Sequence, residues 1–210
     1  MIGIIEYGLG NVSAFVNIYK KLEVPCKIVR TNKDFDNITK LILPGVGAFD
    51  HAIDLFEKSG MRGKVEDLVL HKKIPVLGVC VGMQMMVDSS EEGRKAGLSW
   101  ISGRVIKLDS KELDPGSPLP HMGWNELLIN ESDRILSGLN HSRFYFLHSY
   151  YVSLEDSESV IAEAVYGPKF CSVLKSNNIY GMQCHPEKSH ESGIRFLKNF
   201  SEINKCCDPE

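Results

Sequence analysis

The chain lacks any apolar run approaching the roughly 20 residues that a membrane-spanning helix needs. It has no Cys-x-x-Cys pair and no histidine-rich tract, which argues against a structural zinc site. It has no cluster of lysine and arginine, and its formal net charge of −3 leaves no basic footprint for nucleic acid or an anionic membrane surface. The opening residues, Met1-Ile2-Gly3-Ile4-Ile5-Glu6, lack the charged start and cleavage site of a secretory signal. The cysteines Cys26, Cys80, Cys171, Cys184, Cys206 and Cys207 are irregularly spaced, so they are expected as reduced thiols in a cytoplasmic protein rather than as a disulfide framework. No repeat or low-complexity segment interrupts the 210 residues, of which 43% are hydrophobic. One domain with a sizeable core is therefore expected over residues 1–204, with 205–210 as a frayed tail.

What the chain does have is a short stretch around which the rest can be arranged, Pro75-Val76-Leu77-Gly78-Val79-Cys80-Val81-Gly82-Met83-Gln84. An apolar run leads into Gly-x-Cys-x-Gly, and a helix-competent segment follows. That is the layout of a nucleophile elbow, where a strand turns sharply into a helix and presents the nucleophile at the turn. Glycines at 78 and 82 allow the tight turn and close packing of helix on sheet. On these residues alone Cys80 reads equally well as a buried structural cysteine between two incidental glycines.

Along the chain, Ile2–Tyr7 is a strand with a glycine-rich exit, and Val12, Phe15, Val16, Tyr19 and Leu22 have the spacing of one buried helix face. Gly8-Leu9-Gly10 is not a dinucleotide fingerprint, because Ser13 holds the place of the third glycine. Cys26–Arg30 and the run from Lys40 into Pro44-Gly45-Val46-Gly47-Ala48-Phe49 are further strands. Asp50–Phe56 and Met61–Lys72 are helical, and Val76–Val79 is the elbow strand. Strands alternating with helices predict an α/β fold with a mostly parallel sheet flanked by helices, whose ligand site lies at the carboxyl ends of the strands. The second half predicts an antiparallel addition, with strands at Arg104–Leu108, Trp124–Ile129, Phe144–Leu154, Val160–Tyr166 and Phe170–Leu174. Lys111–Pro120 is expected as a surface loop, Asn177-Asn178 as a hairpin turn into Ile179–Cys184, and Glu191–Ile203 as a closing amphipathic helix.

After Ile179–Cys184 comes His185-Pro186-Glu187. Residues two apart in an extended segment share a face, and Pro186 biases His185 toward that conformation. A nucleophile needs a base and the base an orienting group; Cys80, His185 and Glu187 supply all three. Seen alone, the tripeptide reads as an exposed turn. His121 and His148 read as satisfied buried histidines, and His51, His71, His141 and His190 as surface residues.

Taken together, these motifs resemble the class I glutamine amidotransferases, flavodoxin-like in fold, along the whole ordered length. Tyr7-Gly8-Leu9-Gly10-Asn11, Pro44–Phe49, Pro120-His121-Met122-Gly123-Trp124-Asn125 and His148-Ser149-Tyr150 narrow the likeness. With Met83 before Gln84, they are similar to the branch whose members are glutaminase subunits of imidazole glycerol phosphate synthases. The resemblance implies that Cys80 attacks the side-chain amide of L-glutamine and that His185, oriented by Glu187, protonates the leaving ammonia. It implies an oxyanion hole of backbone N–H groups from Val81 and from Val46 or Gly47. Gln84, Glu92, His148, Ser149 and Tyr150 fall on substrate-binding positions, with Glu91 competing for the place of Glu92. No cofactor and no metal is implied. Because the sequence stops one helix after the triad, a separate partner is expected to consume the ammonia: in the family, a barrel-shaped cyclase subunit in a heterodimer. Glu6, Val79, Val81 and Cys184 depart from the family's commoner residues, which leaves open a paralogue feeding a sugar amidotransferase for surface polysaccharide. More distant alternatives are a Cys-elbow hydrolase or chaperone of the same fold, and a non-catalytic binding subunit.

Overall fold

A computed structural model describes residues 1–203. Its elements are β1 (Ile2–Ile5), α1 (Val12–Lys21), β2 (Cys26–Val29), β3 (Lys40–Gly45), α2 (Phe49–Lys58), α3 (Arg62–Glu66), β4 (Val76–Cys80) and α4 (Val81–Gln84). There follow β5 (Ser89–Ser90), β6 (Gly103–Lys107), β7 (His121–Glu126), β8 (Leu128–Ile129), β9 (Arg143–His148), β10 (Tyr150–Leu154), β11 (Val160–Val165), β12 (Lys169–Ser176), β13 (Ile179–Met182) and α5 (His190–Glu202). The expected frayed tail, 205–210, lies outside the described residues.

The main sheet has eight strands in the order β2-β1-β3-β4-β13-β12-β11-β8. The first five run parallel, and β12, β11 and β8 continue antiparallel. Every residue of β1, β4 and β13 is buried, the pattern of strands covered on both faces. Helix α1 buries Val12, Phe15 and Tyr19, and the Tyr19 hydroxyl donates to the Leu197 carbonyl of α5 at 3.2 Å. Two small sheets stand beside the main one, β10-β6-β5 and the antiparallel ribbon β7-β9.

The alternating first half matches its expectation, as does the turn at Asn177-Asn178, where Asn177 takes φ 54°. Buried Asn178 fixes that turn by donating to the carbonyls of Val69 and Ile74, both at 2.9 Å. Three segments differ. Phe144–Leu154 is not one strand: it breaks at Ser149, β9 pairing with β7 and β10 with β6. Trp124–Ile129 is likewise two pieces, since β7 begins at His121 and β8 joins β11. The helical stretch Met61–Lys72 is one turn of α-helix followed by a π-helical turn over Asp67–His71. Apolar periodicity locates such segments; it does not show where the chain leaves one sheet for another.

Candidate active site

Strand β4 ends on Cys80, whose backbone has φ 54° and ψ −114°. A non-glycine residue in that region is strained, at a cost of order 1–3 kcal/mol, and persists only where its surroundings enforce it. Here the enforcement is close packing. A Cβ on Gly82 would come within 1.9 Å of the Leu43 carbonyl oxygen, and one on Gly78 within 2.7 Å of the Gly82 oxygen. The expected elbow is therefore present, with α4 pressed against β3 and β4.

The base arrives from the next strand. Met182 of β13 pairs with Val79 of β4, so the chain leaving β13 passes beside Cys80. The His185 N–H donates to the Tyr145 carbonyl of β9 at 2.9 Å, and Ser189 Oγ donates to the His185 carbonyl at 2.6 Å. These bonds fasten a 3-10 turn, Pro186–Lys188, so that His185 Nδ1 lies 2.9 Å from Glu187 Oε1. A carboxylate can only accept, so Nδ1 carries the proton and Nε2 is the atom left for the sulfur. Both side chains are about 96% buried or more, at 3% and 4% exposure.

Burial by itself pushes His185 down, but the hydrogen bonds and charges of Cys80 and Glu187 outweigh it and hold the imidazole up at about 10. Nε2 meets no partner at standard hydrogen-bond angles, yet it faces the sulfur closely enough for a Cys80 hydrogen bond and charge to raise the imidazole. Burial pushes the thiols of Cys26, Cys171 and Cys184 up, away from reactivity.

Cys80 opens on a cleft of about 370 Å³ lined by Val46, Gly47, Cys80, Val81, Gln84, Glu92, Pro120, Leu147, His148, Ser149 and Tyr150. Every residue expected on the substrate side is thus on one wall or another, while His185 and Glu187 line a separate cavity of about 70 Å³ together with Asn11, Pro44, Gly45 and Lys188. The loop after β3 is exposed at Val46 and Gly47, and Gly47 takes φ 98°, a conformation that favours glycine. Glu92 reaches the N-terminus of α2, where its Oε2 accepts from the Phe49 N–H at 2.8 Å. Glu91 instead accepts from the Lys107 N–H at 2.9 Å and does not line the cleft.

The two histidines read as buried are so. His148 Nδ1 donates to the Tyr150 carbonyl at 3.0 Å, its Nε2 accepts from His121 Nδ1 at 3.2 Å, and Asn125 Nδ2 lies 3.4 Å from His121 Nε2. Burial pushes His121 down to about 4 and His148 down to about 3, so both are neutral. His51, His71, His141 and His190 are exposed. Gln183 was not singled out by sequence, yet its Nε2 lies 3.7 Å from Cys80 Sγ. Its signal was a polar residue in an apolar strand, two before His185 and hence on the same face.

The model of the glutamine amidotransferase class-I family matches residues 3–203. The chain is 47% identical over 204 residues, 97% of its length and 100% of the relative's, to the imidazole glycerol phosphate synthase subunit HisH of Leptospira interrogans. It is 48% identical, over the same shares, to the protein of that name from Bdellovibrio bacteriovorus. A solved glutamine amidotransferase structure superposes with a TM-score of 0.73 at 16% identity, covering 96% of this chain and 99% of that one.

Proposed function

The chain belongs to the class-I glutamine amidotransferase family, and from that premise we propose how its residues divide the release of ammonia from glutamine. It acts as the glutamine-hydrolysing subunit of an imidazole glycerol phosphate synthase, in histidine biosynthesis. In the proposed sequence Cys80 Sγ attacks the side-chain amide carbon of L-glutamine as the thiolate whose proton His185 Nε2 already holds. The N–H of Val81 and one from Val46 or Gly47 hold the oxyanion. His185 then gives its proton to the departing nitrogen, the C–N bond breaks, and ammonia leaves a glutamyl thioester. Water, deprotonated by His185, attacks the thioester; the C–S bond breaks, glutamate departs and the proton stays on His185 beside the sulfur. Glu187 holds the Nδ1–H tautomer throughout. Glu92, Ser149, Tyr150 and His148 shape the end of the cleft that would take the amino-acid group, as does the free Oε1 of Gln84.

The ammonia is consumed by a separate cyclase subunit in a heterodimer, and the chain works in the cytoplasm. Among the described residues no helix is long and apolar enough to cross a membrane. The observation that carries the reading is the strained Cys80, on the same cleft as the amide-facing residues and beside the His185–Glu187 pair. The test is labelling with a diazoketone analogue of glutamine, followed by peptide mapping, alongside glutamine hydrolysis with and without the cyclase. Label is expected on Cys80 alone, with turnover abolished in Cys80→Ser and raised by the partner. Label centred on Cys171 or Cys184 overturns the assignment.

A further inference from the structure

A continuous line of buried amides ends on the nucleophile. Gln84 Nε2 lies 3.0 Å from the Tyr150 carbonyl oxygen and 3.0 Å from Gln183 Oε1, and Gln183 Nε2 lies 3.7 Å from Cys80 Sγ. The orientation of each amide can be derived. A backbone carbonyl can only accept, so the Gln84 group facing Tyr150 is its NH₂. That NH₂ has a second hydrogen, which must go to the oxygen of Gln183. With its oxygen so placed, Gln183 turns its own NH₂ to the sulfur. The Tyr150 carbonyl is itself held by His148 Nδ1 at 3.0 Å. Gln183 is fully buried and Gln84 nearly so, and exchange with water does not scramble the arrangement.

We propose that Gln183 is a positioning residue for the nucleophile: its amide N–H aims the Cys80 sulfur and stabilises negative charge on it, and Gln84 is the clamp that keeps that N–H turned inward. This rests on Cys80 being the nucleophile. A hydrogen bond from a neutral donor favours the charged form of its acceptor, a gain in thiolate population that outweighs the accompanying loss of nucleophilicity. The bond is also lengthened to 3.7 Å, as expected for sulfur, so the sulfur is restrained without being captured. Several other groups face Cys80. His185, with Glu187 behind it, comes from the segment after β13, and buried Cys184 lies on the same segment. Tyr7 comes from the exit of β1, its hydroxyl donating to the Pro44 carbonyl at 2.8 Å. Glu92 and neutral His148 stand on the cleft walls. Of the polar side chains around the sulfur, Gln183 donates an N–H to it at 3.7 Å, while His185 is coupled to it by hydrogen bond and charge.

The proposal assigns Gln84 a role distinct from gripping glutamine, since both of its N–H groups are already committed and only Oε1 remains for a ligand. It also predicts that two substitutions at different sites share one phenotype. Gln183→Met removes the donor; Gln84→Met leaves Gln183 in place but releases its orientation.

The experiment is the pH dependence of Cys80 alkylation by iodoacetamide in the full chain, with the modified residue mapped by mass spectrometry and folding checked by circular dichroism. In Gln183→Met the midpoint of the alkylation profile is expected to rise by about one pH unit, a tenfold loss of thiolate at fixed pH, the scale of one hydrogen bond to a charged group. Gln84→Met is expected to shift it the same way by less. Gln183→Glu, isosteric but carrying a carboxylate in place of the donor, adds repulsion to the lost bond and is expected to raise the midpoint further still. In the complex with its cyclase, kcat for glutamine is expected to fall about tenfold in Gln183→Met, with KM little changed. Folded variants that alkylate at Cys80 with the wild-type profile overturn the proposal. Glutamine hydrolysis that persists undiminished in Cys80→Ala would instead overturn the assignment of the nucleophile, so the two failures are distinguishable.

Discussion

His185 and His148 are both buried, both belong to the same site, and each donates Nδ1–H to an oxygen, yet at neutral pH the first is charged and the second neutral. The oxygen makes the difference. His148 donates to the Tyr150 carbonyl, which has no net charge to offset the cost of taking an imidazolium out of water, and burial pushes it down to about 3. His185 bears the same desolvation, but the carboxylate of Glu187 and the sulfur of Cys80 reverse its sign and hold it at about 10. Their proximity widens the gap, since charge on His185 further disfavours charge on His148. Depth of burial therefore says little about whether a histidine in this protein can move a proton; its partner decides.

The sharpest way to break the comparison is to remove the titrating member. His185→Ala is expected to lower kcat for glutamine in the complex by about 10²–10⁴, the range of general acid–base catalysis. Glu187→Gln makes the surroundings of His185 resemble those of His148. It is expected to cost less, roughly 10–10²-fold, because the oxyanion hole and bound geometry remain, and to move the NMR titration of His185 downward. If Glu187→Gln harmed turnover more than His185→Ala, the roles would be reversed.

A second effect is on stability, where the two sites have opposite signs. An unfolded histidine titrates near 6.5. His148 and His121 are depressed in the folded chain, to about 3 and about 4. Below about pH 6.5 the unfolded chain therefore binds protons that the folded chain refuses, and stability falls with acid. His185 is raised to about 10, so its contribution is fully present below about 6.5 and is lost as pH climbs toward 10. Melting temperature against pH is expected to form a dome with its top near 6.5. Glu187→Gln should flatten only the alkaline arm, and flattening of the acid arm instead would exchange the two assignments. The smallest expected change is in His148→Gln: about threefold in KM with kcat nearly constant, the scale of one neutral hydrogen bond. A collapse of kcat like that of His185→Ala would erase the distinction.

Much of this site was legible before the fold was known, and the reason is local. Gly78, Cys80 and Gly82 fall within five residues, and His185 and Glu187 lie two apart, so backbone geometry alone brings each group to one place. The interleaved first half was equally legible, because each strand and helix carries its own period. What could not be read depends on contacts between distant segments. Gln183 acquires its meaning from Cys80 and Gln84, about a hundred residues earlier, and nothing in Ile179–Cys184 marks it except its polarity. The break at Ser149 was hidden because apolar residues continue on both sides while the chain changes sheets. The choice between Glu91 and Glu92 on the cleft wall is made by which one the N-terminus of α2 meets.

The nucleophile and the base rise from neighbouring rungs of one ladder, with Gly45 opposite Cys80 on one side and Met182 opposite Val79 on the other. Such rungs stand about 4.8 Å apart, and a fully covered ladder opens only at free energies near that of global unfolding. Amide protons of β4 and β13 thus belong with the slowest to exchange in the molecule. Cys80 stands at the end of that frame, and His185 is fastened just past it by the Tyr145 carbonyl and the Ser189 hydroxyl. The margin differs: Val46, Gly47 and Ala48 are open to solvent, and a Cβ at Gly47 would touch nothing. The frame keeps the distance, and we expect the loop, open to another surface, to keep the time.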